Sequence, residues 1–163
     1  MARKYGNNSL FALIPSFDET IGGFKVDALI KDTLTDIKDV LANVVRTRIP
    51  VDSGELRATA IGEFGPRKIA PGYWRAGVGL KKHPRYGIFV HDGTGIYGPR
   101  KSPIVPRTAP YLKFTIGDRT FRLRSVKGQE PQPFMDEAFF IINRTYVPFK
   151  VEALRLKIQA LGR

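Results

Sequence analysis

Apolar residues recur every three or four positions after Gly23: Val26, Leu29, Ile30, Leu34, Ile37, Val40, Leu41, Val44 and Val45. That spacing draws one stripe along a helix and predicts an amphipathic α-helix over 24–48. Lys25, Lys31, Asp32, Asp36, Lys38 and Asp39 fall largely on the other side. Arg46 and Arg48 occupy the last turn, where the helix dipole favours cations. Pro50 ends the helix, because the residue before a proline is pushed out of the α region. The period then shortens. Alternation of Leu56, Ala58 and Ala60, and of the residues in Tyr73–Leu80, predicts strands over 56–64 and 73–80. Gly65-Pro66 and Pro71-Gly72 punctuate the link between them. Tyr86–Val90 is a short apolar run whose type the pattern leaves open. Strands over 111–116 and 120–126, joined at Gly117-Asp118, read as a hairpin. Leu112, Phe114, Ile116, Phe121 and Leu123 would form its apolar face, and Lys113, Arg122 and Arg124 its basic one. Residues 132–161 read as helix, with one stripe of Phe134, Ala138, Ile141 and Ile142 and a second of Leu154, Ile158 and Leu161. Pro148 lies between the stripes, lacks an N–H, and is expected to kink or split the helix.

This order predicts an α+β fold. An antiparallel sheet of about four strands would be packed by the long N-terminal helix and a C-terminal helix, with long extended loops. Three parts are expected: an arm over 1–23, the α+β domain over 24–147, and a helical extension over 148–163. The arm is polar up to Ser9 and breaks at Gly22-Gly23. Phe11, Leu13, Ile14 and Phe17 give it an apolar patch that must dock on the domain or on a neighbouring copy. The segment Gly93–Pro110 is rich in glycine and proline; so long a stretch without regular structure is usually functional or disordered.

Composition narrows the chemistry. The 163 residues suit one domain. No cysteine is present, which excludes disulfides, thiolate nucleophiles, Fe–S clusters and Cys-ligated zinc. The run Leu10–Pro15 is too short to span a bilayer, and its flanks lack a signal-peptide pattern. A soluble protein made in a cytoplasm, with no membrane partner, is expected. Charge adds more. The net charge is +12. Residues 1–81 carry 12 basic and 9 acidic side chains, against 15 and 6 in residues 82–163. A one-sided field favours polyanions or acidic proteins. Its carriers are Lys81, Lys82, Arg85, Arg100, Lys101, Arg107, Lys113, Arg122, Arg124 and Lys127, interleaved with Tyr86, Tyr97 and Tyr111. Phosphate contact and base stacking use such residues, but no nucleic-acid module signature accompanies them. Diffuse contact with a phosphate backbone fits better than sequence reading.

Three local motifs carry less. Gly93-Thr94-Gly95-Ile96-Tyr97-Gly98 matches G-x-G-x-x-G, with Asp118 further on. A dinucleotide site needs a helix directly after the glycines, and Pro99-Arg100-Lys101-Ser102-Pro103 cannot open one. Glycines that permit a tight loop are the better explanation, and no cofactor is expected. His91-Asp92 could do general-base work only with a nucleophile or water in reach; a surface or loop-anchoring histidine is the simpler reading. Only His83 joins it, which argues against a metal site. In Pro50–Arg57, Asp52 and Ser53 can bond the local backbone and Gly54 permits a turn, as in a well-made connector.

Taken in order, three segments resemble one family. Val51-Asp52-Ser53-Gly54-Glu55-Leu56-Arg57 is similar to its VDTGxLR element after the first helix. Tyr86-Gly87-Ile88-Phe89-Val90-His91-Asp92-Gly93-Thr94-Gly95 is similar to its YAxxVExGT element. Gln132-Pro133-Phe134-Met135 resembles the xPFLxPA start of its last helix. The family is the neck or tail-completion proteins of long-tailed bacteriophages, also described as minor capsid or head–tail joining proteins. The resemblance spans about residues 24–147, with His91 standing where the family has an acid and a longer, more basic loop over 96–110. It implies a non-enzymatic virion subunit, assembled in the host cytoplasm. Copies would form a homo-oligomeric ring at the head–tail junction and leave a channel for DNA. Neighbours would be the head-closure or connector protein and the tail-terminator or tail-tube protein, with non-specific contact to packaged DNA. Phe11, Leu13, Phe17, Ile96, Tyr97 and Ile104, and the C-terminal extension, are the expected inter-subunit contacts. A tail terminator capping the tail tube, a sequence-independent nucleic-acid binder and an enzyme using His91-Asp92 are the alternatives.

Overall fold

The computed structural model describes residues 9–10, 23–50, 54–59, 61–70, 73–81 and 86–161. The fold is α+β, with small antiparallel sheets and long helices near both ends of the chain. The chain divides into two compact units, residues 1–81 with 134–163 and residues 82–133.

In the first unit the expected N-terminal helix is α1 (Gly23–Arg48). Its stripe is the core: Ile30, Leu34, Ile37, Leu41, Ala42 and Val45 are all buried. Each large side chain contributes roughly 1.5–3 kcal/mol by leaving water. The connector then departs from its expected form. Glu55–Thr59 is a single helical turn, α2, where a strand was expected. Glu, Leu, Arg and Ala are all good helix formers. Gly54, at φ +82°, turns the chain into it, and the Gly54 carbonyl accepts the Ala58 N–H at 3.2 Å. Only Leu56 of the turn is buried, so three alternating residues were too few to define a strand. The strand is β2 (Ile61–Ala70), paired antiparallel with β3 (Tyr73–Leu80). Gly65-Pro66 does not end β2. The register slips between Phe64 and Arg67, and a bulge is where a strand accommodates proline. A two-residue strand, β1 (Ser9–Leu10), borders β3 on its other edge, giving the order β1-β3-β2. The arm residues Phe11, Leu13 and Phe17 lie outside the described residues, as do Val51, Asp52 and Ser53.

The last helix, α4, runs unbroken from Phe134 to Leu161. Pro148 therefore does not split it, and the boundary expected at 148 falls inside one helix. Pro148 and Arg144, whose carbonyl loses its intrahelical donor, are both exposed, so water can satisfy that carbonyl. The second half of α4 is part of the core: Leu154 and Ile158 cluster with Ile30, Leu34 and Ala76, edged by Val26, Leu29 and Trp74. α1 and α4 run antiparallel. Arg48 pairs with Glu137 at 3.1 Å at one end, and Lys150 with Asp36 at 2.8 Å further along.

Ion pairs also tie α1 to β2. Lys68 Nζ lies 2.7 Å from Asp27 Oδ2, and Glu63 accepts from Lys38 at 3.1 Å and from Arg46. Partial burial pushes the Glu63 carboxyl upward, but the two cations bonding it prevail and hold it below its ordinary range. A carboxyl held low in the folded state stabilises above its unfolded titration point, and that stability is lost as pH falls through the folded one. Glu63→Gln is expected to cost about 1 kcal/mol at neutral pH and nothing at pH 2. Urea unfolding at both pH values checks this.

The second unit holds α3 (Tyr86–Asp92), the helix into which the short apolar run folds, and the hairpin β4 (Leu112–Ile116) and β5 (Arg119–Leu123). Among the described residues β4 and β5 pair only with each other. The single four-stranded sheet is therefore corrected to two sheets, since local alternation specifies strands but not which strands share a ladder.

Candidate functional site

The hairpin displays the strongest charge in the second unit. Gly117, at φ +56°, and Asp118 make the expected turn. The register sets Lys113 directly opposite Arg122, Thr115 opposite Thr120, Phe114 opposite Phe121 and Leu112 opposite Leu123. Side chains alternate, so Lys113, Thr115, Thr120 and Arg122 share one face and the apolar pairs share the other. Phe114 and Phe121 stack with ring centroids 5.7 Å apart. On the polar face the two threonine hydroxyls are 3.2 Å apart. The Arg122 guanidinium lies 5.2 Å from the centre of the Tyr111 ring. Two cations facing each other across an antiparallel pair repel. Nothing acidic relieves them within the unit.

That holds for the whole unit. Its described cations are Arg100, Lys101, Arg107, Lys113, Arg119, Arg122, Arg124 and Lys127, and all are exposed. Not one makes an ion pair among the described residues, whereas Lys38, Arg46, Arg48, Lys68, Lys150 and Arg155 of the first unit all do. The three acids of residues 82–133 are Asp92, Asp118 and Glu130, and Asp92 is engaged with His91. The sequence reading missed Arg119, which stands opposite Ile116 beside the turn. A residue next to a Gly-Asp turn was the available signal. Lys81 follows β3 and belongs to the first unit, and Lys82 and Arg85 lie outside the described residues.

The glycine motif holds the loop below the hairpin. Thr94 N–H donates to the Gln129 carbonyl at 2.9 Å and Ile96 N–H to the Lys127 carbonyl at 2.8 Å. Gln129 N–H returns a bond to Thr94 Oγ1 at 2.9 Å. Ile104 and Val126 exchange both backbone bonds. Residues 93–110 are thus tied to 126–129 by backbone hydrogen bonds. The close approach needs bare backbone: a Cβ on Gly95 would stand 1.9 Å from the Lys127 carbonyl oxygen, and one on Gly128 2.2 Å from that of Thr94. No helix opens directly after Gly98, in keeping with the loop reading of the motif. Ile96 and Tyr97 are half-buried, and Ile104 is exposed.

His91 is corrected from a surface residue to a buried one, in the last turn of α3. Its Nδ1 lies 2.8 Å from Asp92 Oδ1. Val90 is buried beside it, and its carbonyl accepts the Gln132 N–H at 3.0 Å. The pair anchors the end of α3. The Tyr86–Gly95 motif therefore spans α3 and the first turn of the glycine loop, and Pro133-Phe134 opens α4, with Phe134 buried. Among the described residues no three His, Asp or Glu side chains cluster as metal ligands, and no helix is long and apolar enough to cross a membrane. Comparison with protein-family models, with curated proteins and with solved structures finds no match to the chain.

Proposed function

We propose that the chain is a structural subunit of a phage virion. It acts by assembly as a ring at the head–tail junction, joins the connector to the tail, and leaves a channel for DNA. The observation that carries the reading is the cationic hairpin unit, whose described positive side chains find no acid within the fold. Six cations of the first unit pair with acids, whereas no described cation of the second does, so that second surface is suited to a polyanion or an acidic neighbour. The ordered resemblance of Val51–Arg57, Tyr86–Gly95 and Gln132–Met135 to neck proteins supplies the setting. The glycine loop, with Ile96, Tyr97 and Ile104, offers an ordered surface for a neighbouring subunit. Electron microscopy of particles made by a phage lacking this gene tests it. DNA-filled heads lying apart from finished tails are the expected result; normal joined particles would overturn it. Joined particles with overlong tails would favour the tail-terminator role instead.

The Lys113–Arg122 pair also favours a second reading, free binding to nucleic acid without sequence preference. Each phosphate contact releases condensed counterions, so affinity falls steeply with salt. On that reading the chain binds duplex DNA with a log–log salt slope of several units. Lys113→Glu with Arg122→Glu reduces the slope by about two units, one per contact. A slope near zero for the unaltered protein excludes it.

A further inference from the structure

By its backbone period α4 carries two apolar stripes and changes the side that it buries. In the first half Phe134, Met135, Ala138 and Ile142 are buried, and in the second half Leu154 and Ile158. At about 100° per residue the two sets lie on roughly opposite sides of the helix. The side buried in the first half does not become polar in the second. Met135, Phe139, Ile142, Tyr146, Phe149, Ala153, Leu156 and Ala160 alternate at spacings of four and three without a break. This is the a/d seam by which helices pack along their length. Met135 and Ile142 are each 3% exposed, whereas Phe149 is 66% and Leu156 54% exposed. One half of the seam is filled within the chain and the other half is left open.

We infer that the open half, Phe149–Ala160, is a self-association surface that takes the same helix of a second copy, antiparallel about a two-fold axis. Two features identify the occupant. The first is shape. Large residues at 149 and 156 alternate with alanines at 153 and 160. Antiparallel copies set Leu156 of each on Ala153 of the other, and Phe149 on Ala160, so knobs meet gaps throughout and the patch is self-complementary. Parallel copies would stack Phe149 on Phe149 and leave voids at the alanine layers. The second is charge. The antiparallel register brings Lys157 of the second copy beside Lys150, a like charge that Asp36, 2.8 Å from Lys150, must offset. The Asp36 side chain is 55% exposed there and can accept another cation, while Lys157 is exposed and without an ion pair among the described residues. A parallel pair would gain Glu152 against Lys157, but Glu152 already holds Arg155 at 2.7 Å, and an exposed pair adds little. Shape therefore decides the orientation.

The inference does not rest on the virion reading and can fail without it. Sedimentation equilibrium of the full chain, over a concentration series reaching about 1 mM, should show a reversible dimer. Phe149→Glu with Leu156→Glu should leave a monomer of unchanged circular dichroism, because both side chains are exposed. A monomeric unaltered protein overturns the inference. Orientation and register are read independently of that variant. The chain has no cysteine, so Ala153→Cys protein mixed with Leu156→Cys protein should oxidise mainly to the mixed disulfide dimer. Self-crosslinking of each alone in preference to the mixed product would mean parallel packing and overturn it. Crosslinking no better than that of Arg155→Cys, off the seam, would place the dimer elsewhere and overturn it too.

Discussion

Gly95→Ala is expected to unfold the hairpin unit under conditions where the unaltered chain is stable. Two costs add at this position. Gly95 sits at φ +63°, where an L side chain costs about 1–2 kcal/mol. The added Cβ would also stand 1.9 Å from the Lys127 carbonyl oxygen and 2.9 Å from the Gly128 Cα. These are backbone atoms of the 126–129 segment that the loop bonds, so neither can turn away as a side-chain tip would. Relief requires the loop and the segment to part, which breaks the Ile96–Lys127 bond and strains the bonds between Thr94 and Gln129. A total loss of about 3–5 kcal/mol follows. Hydrogen exchange is the direct readout: the Thr94, Ile96 and Gln129 amides should lose protection, while the α1 amides keep theirs. The matched control is Gly79→Ala, where an added Cβ meets nothing within 4 Å, and where a change within about 1 kcal/mol is expected. Equal losses at the two positions would refute the clasp.

Ile37→Ala is expected to cost about 2–5 kcal/mol, and to act on the other unit. Ile37 lies midway along α1, is fully buried, and has Leu34 and Leu41 on the adjoining turns. Truncation removes three carbons from a fully buried position of a helix that packs against α4, β2 and β3, which leaves a cavity that is costly to close. Urea unfolding measures it. Lys31→Ala on the exposed side of the same helix should stay within about 0.5 kcal/mol, and similar losses at both positions would mean that the stripe is not the core.

Much of this architecture was legible wherever the signal is local. The α1 stripe is a long 3.6-period pattern, and the Gly117-Asp118 turn announces its hairpin. α2 was misread because three small alternating residues fit either element. The sheet division was not legible, because pairing is a long-range event. The same limit applies to the site. The sequence names the cations, but not which are neutralised: Lys150 meets Asp36, and Lys68 meets Asp27, across long stretches of chain. Only folding separates the satisfied cations from those on the hairpin. The α4 seam was hidden for another reason. Pro148 invites division of the helix into two stripes, and that division conceals the single repeat running through it.

Pro148 has a mechanical consequence as well. A helical ladder transmits bending and twisting stiffly where every rung is present, and here the rung from residue 148 to the Arg144 carbonyl is missing. The missing rung lies where α4 changes the side that it buries. Each half of the helix is therefore held by its own anchors, and the compliance between them is greatest at Pro148. A load applied through Phe149 and Leu156 would be absorbed there as a small bend before it reached the buried first half.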